Sequence, residues 1–330
     1  MIARKLWKGK GDLMTLLNAY DRFLSDGSSH WAPRTKLYYE RNMAYFFNYM
    51  EKVLQLPCDS SLIEQLPGDI LVRYAVWLRS KSRYSGHPLQ DYMNVGGTIK
   101  SNTVNTYMRA VKAFFNYLYK VRIVNVRYAE NVKLPRPDDD QIVPLMMSEA
   151  VAIDRCFDRQ MFSDLRNLCI IHLMLDAGLR SCEVIQLQAR DVIFASSTIV
   201  INRSKGDKSR VVIMCPYLAS LLQEYMDSAH PSGVLFTKLT ENKPINESVM
   251  KSLFVRLRRN TGIDRLHPHL LRHTFATSYI MGGGNLETLR ILLGHFDYSV
   301  TRKYLHLAAQ NQILGTDIYR LDPVFFKTSY

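Results

Sequence analysis

The first 120 residues place apolar and polar positions in the pattern of amphipathic helices. From Leu13 to Leu24 the apolar residues recur at steps of three and four, which is the spacing of one helical face. A second pattern of this kind begins near Pro33, a residue suited to the first position of a helix. A third pattern follows Pro67-Gly68, and it runs through Val72, Val76 and Leu78.

A fourth helix is predicted after a loop that extends from Gly86 to Gly97. Thr103 is placed to cap this helix with its side-chain oxygen. The residues expected on one face are Val104, Tyr107, Val111, Phe114, Phe115 and Leu118. The four patterns together predict a small helical module.

Residues 126–144 interrupt this periodicity. Prolines stand at positions 135, 137 and 144, and Asp138 to Asp140 form a run of three carboxylates, which is typical of a polar linker. We therefore expect an N-terminal helical domain over residues 1–125, a linker over 126–144, and a second domain over 145–330.

The second domain combines helical patterns with one hairpin. A helix is predicted through Leu168 to Leu175, and the pattern is helical again from Ser248 onward. Between them, Thr198 to Asn202 and Val211 to Met214 read as two strands joined by a polar turn at Lys205-Gly206-Asp207. The expected fold class is mainly α with a small β-hairpin, an α+β arrangement.

Charge adds a partner to this picture. The chain of 330 residues has a net charge of +13, and residues 1–122 hold 18 Lys and Arg against 9 Asp and Glu. A basic balance of this size favours a polyanionic partner, with nucleic acid first and an acidic membrane surface second. Most of the unspecific attraction should therefore come from the N-terminal domain.

The cysteines and the apolar stretches bear on the compartment. The five cysteines are scattered and form no C-x-x-C pair, which fits a reducing compartment and argues against a thiolate zinc site. Residues 1–10 lack the apolar run of a signal peptide. The most apolar stretch, Leu168 to Leu179, is too short to span a bilayer. We expect a cytoplasmic protein that does not use a membrane.

Several residues could carry phosphoryl-transfer chemistry. Arg180 and Glu183 are three residues apart, so on a helix they share a face, and His269 and Arg272 have the same spacing. Two arginines can clamp a phosphate, a histidine can move protons near neutral pH, and a tyrosine can act as a covalent nucleophile. Singly, each residue is more simply explained as a surface charge or a packing group, so the argument depends on the combination.

The order and flanks of these residues resemble the tyrosine recombinase family, which includes Xer-type recombinases and phage integrases. The first arginine motif of that family is similar to Gly178-Leu179-Arg180-x-x-Glu183. Its H-x-x-R motif is similar to Pro268 through Thr277. Its closing motif is similar to Leu293-Gly294-His295 followed by Thr301, Tyr304 and His306. The resemblance covers residues 145–310, and less clearly residues 11–125.

The resemblance implies a role for each matched residue. Tyr304 is the nucleophile, Arg180 and Arg272 neutralise the phosphate, and His295 adds a hydrogen bond there. His269 assists proton transfer from Tyr304, and Glu183 supports the first arginine. Lys205 in the hairpin turn is the general acid for the leaving oxygen, with Lys208 as the alternative. One departure lies in the linker, where Asn125-Val126 stands in the region of the family's Asn-Pro.

The resemblance also implies an architecture and a mechanism. Two domains form a C-shaped clamp on double-stranded DNA with inverted-repeat core sites, and a homo-tetramer forms in the synaptic complex. Strand exchange passes through a 3′-phosphotyrosyl intermediate and requires no cofactor and no metal. Accessory proteins or a second recombinase are further expected partners. The N-terminal domain begins by about residue 11, which favours a simple recombinase of the Xer or transposon-encoded kind, serving a mobile element or replicon.

Three alternatives remain open from the sequence. A type IB topoisomerase shares the chemistry but relaxes supercoils without exchanging partners. A DNA-binding regulator with a decayed active site would retain the fold alone, and a basic structural DNA-binding protein would have no chemistry. The tail from Leu305 to Tyr330 is predicted to contain a short helix around Gln310 to Leu314. Its apolar end, Val324-Phe325-Phe326, needs a surface to pack on. The resemblance predicts a neighbouring protomer, and the simpler alternative is the chain's own domain.

Overall fold

A computed structural model describes residues 14–81, 97–130, 132–136, 142–202, 209–238, 243–294, 297–322 and 325. The chain divides into two compact units, residues 1–140 and residues 141–330. Each unit has a hydrophobic core of its own.

Four long helices build the described part of the first unit. They are α1 (Leu16–Ser28), α2 (Pro33–Lys52), α3 (Ile70–Ser80) and α4 (Ser101–Lys120). Pro33 occupies the first turn of α2, as its fixed backbone angle favours. Helix α4 packs against the other three, and its buried face includes Val104, Val111, Phe114 and Leu118. The predicted helical module is therefore confirmed.

Two details of the first unit correct the sequence prediction. Helix α4 begins at Ser101 with Lys100 at the N-cap, so Thr103 lies inside the first turn and does not cap it. In α3 the exposed fractions of Val72 and Val76 are 42% and 62%, because the helix buries the face that carries Leu71 and other residues instead. The predicted loop from Gly86 to Gly97 lies outside the described residues up to position 96.

Part of the predicted linker packs on the first unit. Tyr128, Ala129 and Val132 are buried in the core of that unit. The Asn105 side chain donates a hydrogen bond of 3.0 Å to the carbonyl of Pro135. Residues 131 and 137–141 lie outside the described part of the chain. The domain boundaries given above stay a prediction.

The second unit is mainly helical. Its helices within the described ranges are α5 (Met147–Asp154), α6 (Phe162–Leu175), α7 (Ser181–Gln186), α8 (Pro216–Ala229), α9 (Glu247–Thr261), α10 (Pro268–Met281), α11 (Leu286–Leu293) and α12 (Tyr298–Ile313). Helix α10 packs against α6, α11 and α12. It therefore stands at the centre of the unit, with buried residues on most of its circumference.

The small sheet has one strand more than the predicted hairpin. Strands β2 (Thr198–Ile201) and β3 (Arg210–Ile213) pair antiparallel, with Ile199 opposite Val212. Strand β1 (Val192–Ile193) pairs with the outer edge of β2. A two-residue strand is too short for a periodic signal, which is why the sequence pattern did not show it. The turn that carries Lys205 and Lys208 lies outside the described residues.

The segment after α12 packs on its own unit. Tyr319 donates its backbone N–H to the carbonyl of Leu145 at 2.8 Å, and Ile318 pairs with Met146 in an antiparallel bridge. The buried side chains of this segment are Ile318, Leu321 and Phe325. Residues 316–322 and Phe325 therefore pack on the chain's own domain, which is the simpler of the two alternatives for the tail. The predicted helix at 310–314 is the C-terminal end of α12 and the turn that follows it.

The described residues lack two features that would point to other classes of protein. No helix among them is long and apolar enough to cross a membrane. They also contain no cluster of His, Cys, Asp or Glu side chains with the arrangement of a metal site. The cysteines are free thiols, and Cys182 is the exposed one.

Candidate active site

Glu183 occupies the centre of a cluster of arginines. Arg180 is the N-cap residue of α7, and Glu183 lies in the first turn of that helix. The carboxylate accepts a hydrogen bond from the backbone N–H of Arg180 at 2.8 Å and another from its Nη1 at 2.9 Å. The spacing of three residues therefore produces the expected pair, with the arginine just outside the helix.

A second guanidinium binds the same carboxylate. Arg210, the first residue of β3, donates from Nη1 and Nη2 to the two oxygens of Glu183 at 2.8 and 2.7 Å. Burial alone would raise the pKa of Glu183, but the hydrogen bonds and charge of Arg210, joined by those of Arg180, lower it to about 2. Glu183 is therefore a carboxylate at every ordinary pH.

Arg272 reaches the same place from α10. Its Nη1 donates to the carbonyl of Gly178 and its Nη2 to the carbonyl of Leu293, both at 2.6 Å. Nη1 also lies 3.9 Å from Glu183. Burial and the charge of Arg180 lower the pKa of Arg272 to about 9, which leaves it protonated at neutral pH. Its side chain is therefore held in place as a buried cation.

The three arginines share the C-terminus of α11. The carbonyls of Leu292, Leu293 and Gly294 accept hydrogen bonds from Arg210, Arg272 and Arg180 respectively. The last carbonyls of a helix have no partner within it and carry partial negative charge, so cations stabilise this end. Gly294 ends the helix at a φ of +60°, a conformation that glycine adopts without strain. The closing motif is thereby tied to the first two motifs.

Gly178 allows α10 to approach this cluster closely. Its φ is +65°, and a Cβ atom at this position would lie 2.5 Å from the ring of Phe275 on α10. A larger residue would push α10 away from the turn whose carbonyl accepts from Arg272. The glycine of the first motif thus has a packing reason.

Tyr304 lies on α12, on the side that packs against α10. Its exposed fraction is 4%, and its hydroxyl lies 2.8 Å from Nδ1 of His273. Burial raises the pKa of Tyr304 to about 12, although the charges of Arg272 and Arg180 act in the opposite direction. Ionising this phenol at pH 7 would cost about 7 kcal/mol. The hydroxyl is therefore neutral at pH 7.

His269 lies in the first turn of α10, close to the arginines. Its side chain is exposed, unlike that of Arg272 one turn later. Partial burial and the positive charges of His267, Arg272 and Arg180 lower the pKa of His269. Its imidazole is therefore neutral at pH 7 and can donate one hydrogen bond from one nitrogen and accept one at the other.

The predicted site residues within the described ranges all lie in the second unit. Arg180, Arg272 and Glu183 form one connected cluster, and the charges of both arginines act on Tyr304. Lys205 and His295, and Lys208 as the alternative to Lys205, lie outside the described residues, so their roles stay predictions.

Two residues of the site had no predicted role. Arg210 directly precedes the predicted strand Val211 to Met214. Because burial alternates along β3, Arg210 shares the buried face of this strand with Val212. An inward-facing arginine on a strand could have been noticed from this alternation. His273 stands inside the H-x-x-R motif, four residues after His269, and this helical spacing was its signal.

Comparisons with known proteins agree with this geometry. The model of the phage integrase family matches residues 147–311. The chain is 28% identical to the tyrosine recombinase XerC of Chlamydia caviae over 214 residues. This alignment covers 62% of this chain and 68% of the relative. Over 299 residues the chain is 25% identical to XerC of Pelobacter propionicus, which covers 90% and 92%.

Solved structures with the same fold include two proteins determined with DNA. The Tn1549 transposon integrase in complex with a circular intermediate DNA has a TM-score of 0.68 at 18% identity, over 92% of this chain and 99% of that chain. The XerH recombinase bound to palindromic difH substrate has a TM-score of 0.66 at 19% identity, over 89% and 82%. At this identity the likeness concerns the fold.

Proposed function

The chain belongs to the phage integrase family, and from this premise we propose that it is a site-specific DNA recombinase that cuts and rejoins strands through Tyr304. The observation that carries the proposal is the cluster of Arg180, Arg272 and Glu183 in the same unit as a buried tyrosine on which both arginines act. Fixed cations beside a phenol suit attack on a phosphodiester, because charge develops on the phosphate oxygens during the reaction.

The arginines stabilise the transition state in this proposal. Arg180 and Arg272 neutralise the non-bridging oxygens of the scissile phosphate, and His295 adds a hydrogen bond. His269 is exposed next to both arginines, so its neutral imidazole can donate a hydrogen bond to the same phosphate. Glu183 holds Arg180 in position by accepting its hydrogen bond, and the same carboxylate also accepts hydrogen bonds from Arg210.

The reaction consists of two transesterifications. The Tyr304 oxygen forms a bond to phosphorus while the bond to the 5′ oxygen breaks, which leaves a 3′-phosphotyrosyl linkage and a free 5′ hydroxyl. Lys205 donates the proton that the leaving oxygen requires. A 5′ hydroxyl of another strand then attacks the linkage, gives its proton to the amine of Lys205, and releases Tyr304. The phosphotyrosyl bond conserves the energy of the phosphodiester, so the strands rejoin without a second energy source.

The partners follow from the same proposal. The substrate is double-stranded DNA with inverted-repeat core sites, and four copies of the chain form the synaptic complex. Accessory proteins or a second recombinase complete the assembly where the site requires them. Integration, excision or resolution for a mobile element or replicon is the proposed setting.

Trapping of the covalent intermediate tests the proposal. Nicked fragments of genomic DNA from the source organism are incubated with the protein. The nick allows the short strand with the free 5′ hydroxyl to diffuse away after cleavage, so that the covalent adduct cannot rejoin. Adducts are isolated under denaturing conditions and sequenced at the attachment point. Tyr304→Phe should form no adduct, whereas Tyr298→Phe, an exposed tyrosine on the same helix, should react as the wild type does.

Three outcomes separate the alternatives. Protein-linked DNA with Tyr304→Phe would exclude this tyrosine as the nucleophile. Adducts without exchange between two labelled duplexes that carry the mapped site would indicate a topoisomerase-like activity. The absence of any adduct from the wild-type chain would indicate a DNA-binding protein without strand-transfer chemistry.

A further inference from the structure

The nucleophilic tyrosine has a direct hydrogen-bond partner on the neighbouring helix. Tyr304 Oη lies 2.8 Å from His273 Nδ1, and the two ring centroids are 5.5 Å apart. Helices α10 and α12 pack together, so the pair is set by the core of the unit rather than by a loop. Tyr304 is buried and His273 is half-buried.

Both partners of this hydrogen bond are neutral at pH 7. A neutral imidazole has one donor and one acceptor nitrogen. Burial, the neighbouring His269 and the charge of Arg272 lower the pKa of His273 to about 4, while burial raises that of Tyr304 to about 12. In the tautomer that carries its proton on Nε2, the phenol donates its hydrogen bond to Nδ1.

His269 is differently placed. It lies one turn earlier on α10 and is exposed, whereas the hydrogen bond to the tyrosine is made by His273. A proton acceptor has to lie within hydrogen-bond distance of the proton that it removes. On this geometry His269 is placed to act on the phosphate, and His273 is placed to act on the nucleophile.

We propose that His273 is a catalytic residue that accepts the proton of Tyr304 during cleavage and returns it during rejoining. The inference rests on the proposed function above. As the bond from Oη to phosphorus forms and the bond to the 5′ oxygen breaks, the phenolic proton moves to Nδ1. When a 5′ hydroxyl attacks the phosphotyrosine, Oη leaves and takes the proton back from Nδ1.

The surroundings of the pair oppose proton transfer from Tyr304 to His273 in the free chain. The charged and titratable groups that act on His273 are His267, His269 and Arg272 from α10 and its N-cap, and Lys303 from α12. All are cationic or become cationic, so a protonated His273 is unfavourable before DNA arrives. The negative phosphate of a bound strand offsets this charge, and proton transfer thereby depends on the substrate.

Single-turnover cleavage of a nicked duplex that carries the mapped site tests the role. The amide oxygen of His273→Gln can accept the hydrogen bond of Tyr304 but cannot take its proton. Cleavage at pH 7 should fall by roughly a hundredfold or more, and the remaining rate should rise about tenfold per pH unit. The control His230→Asn, at the exposed C-cap of α8, should cleave as the wild type does.

Two further measurements make the result specific. Added imidazole should restore cleavage by His273→Ala, because it can occupy the space and take the proton. Nitrogen-15 NMR of the wild-type chain without DNA should show His273 protonated at Nε2, with an Nδ1 signal that shifts in Tyr304→Phe. The NMR result depends neither on the folding of a His273 variant nor on the proposed function.

Several outcomes would overturn the inference. Cleavage by His273→Gln within threefold of wild type with an unchanged pH profile is one, and a His273 protonated at Nδ1 in the free chain is another. A changed pH profile in His269→Gln alone would return the role to His269. The wild-type reaction on the same gel reports on the proposed function, so a loss confined to the variants concerns His273.

Discussion

Glu183 is the residue on which the arginines of the site depend. Its carboxylate, 10% exposed, accepts hydrogen bonds from Arg180 and Arg210 and lies 3.9 Å from Arg272. Without it, three cations would face one another in a poorly solvated place. A buried charge that loses its partner is far more costly than an exposed one.

Glu183→Gln should therefore lower the free energy of unfolding by about 3 kcal/mol. The amide keeps the shape of the side chain but removes the negative charge. Glu287→Gln is the matched control, because Glu287 forms an exposed pair with Arg290 at the same spacing of three residues. Urea unfolding followed by circular dichroism measures both, and equal losses in the two variants would contradict the central role of Glu183.

Lys205 carries a chemical prediction of its own. If Lys205 protonates the leaving 5′ oxygen, Lys205→Ala should cleave a normal site slowly. A 5′-phosphorothiolate at the scissile position should restore the rate, because sulfur leaves without needing a proton. Lys208→Ala is the companion variant. Rescue of Lys208→Ala alone would move the role to Lys208, and failure to rescue either variant would remove both from it.

At the scale of elements, α5, α6 and the segment after α12 are joined through one buried histidine. His172 on α6 lies 2.7 Å from Asp176 and 3.0 Å from Asp154 on α5. Tyr319 donates its hydroxyl to the other oxygen of Asp176 at 2.6 Å. Burial by itself lowers the pKa of His172, but the hydrogen bonds and charges of the two aspartates outweigh it and raise the pKa to about 9.

This pKa predicts how stability changes with pH. Because the folded pKa is above the unfolded value of about 6.5, the contribution is complete below that pH and is lost as the pH rises through about 9. The loss should be on the order of 3 kcal/mol. Unfolding free energies measured from pH 6 to pH 10 should show this decline in the wild type and not in His172→Gln.

An exposed histidine provides the control for this prediction. His30→Gln, at an exposed position just after α1, should keep the decline of the wild type. A His172→Gln variant whose stability falls over the same range by the same amount would show that other groups cause it.

At the scale of the whole molecule, the charge lies mostly in residues 1–122. With six or more phosphate contacts, DNA affinity should fall roughly a thousandfold between 50 and 200 mM salt. Residues 141–330 have a hydrophobic core of their own, so they can be compared with the full chain as a separate fragment. Their salt dependence, measured by fluorescence anisotropy, should be less steep. An equal slope would place the main phosphate contacts in the second unit.

The sequence by itself determined the elements and the family. The four helices of the first unit, the helix through Leu168 to Leu175, the helical pattern after Ser248, and the paired strands β2 and β3 are local patterns, as is the spacing of the matched motif residues. Such patterns are written in the chain because a helix repeats every 3.6 residues and a strand every two. Helix α8 (Pro216–Ala229) was not among the predicted elements. The structure differs in the helix bounds by a few residues. Val72 and Val76 belong to the apolar pattern of α3 but are exposed, because neighbouring helices decide which face is buried.

Only the tertiary structure decided which distant side chains meet. Arg210 reaches Glu183 from 27 positions away, and Tyr304 meets His273 from 31. Tyr319 packs on its own unit and donates a hydrogen bond to Asp176, 143 positions earlier in the chain. No periodicity relates such residues, because their contacts arise from the packing of α6, α10 and α12 into one core. Packing also sets the burial of Tyr304 and His273, and this burial shifts the pKa values of both residues.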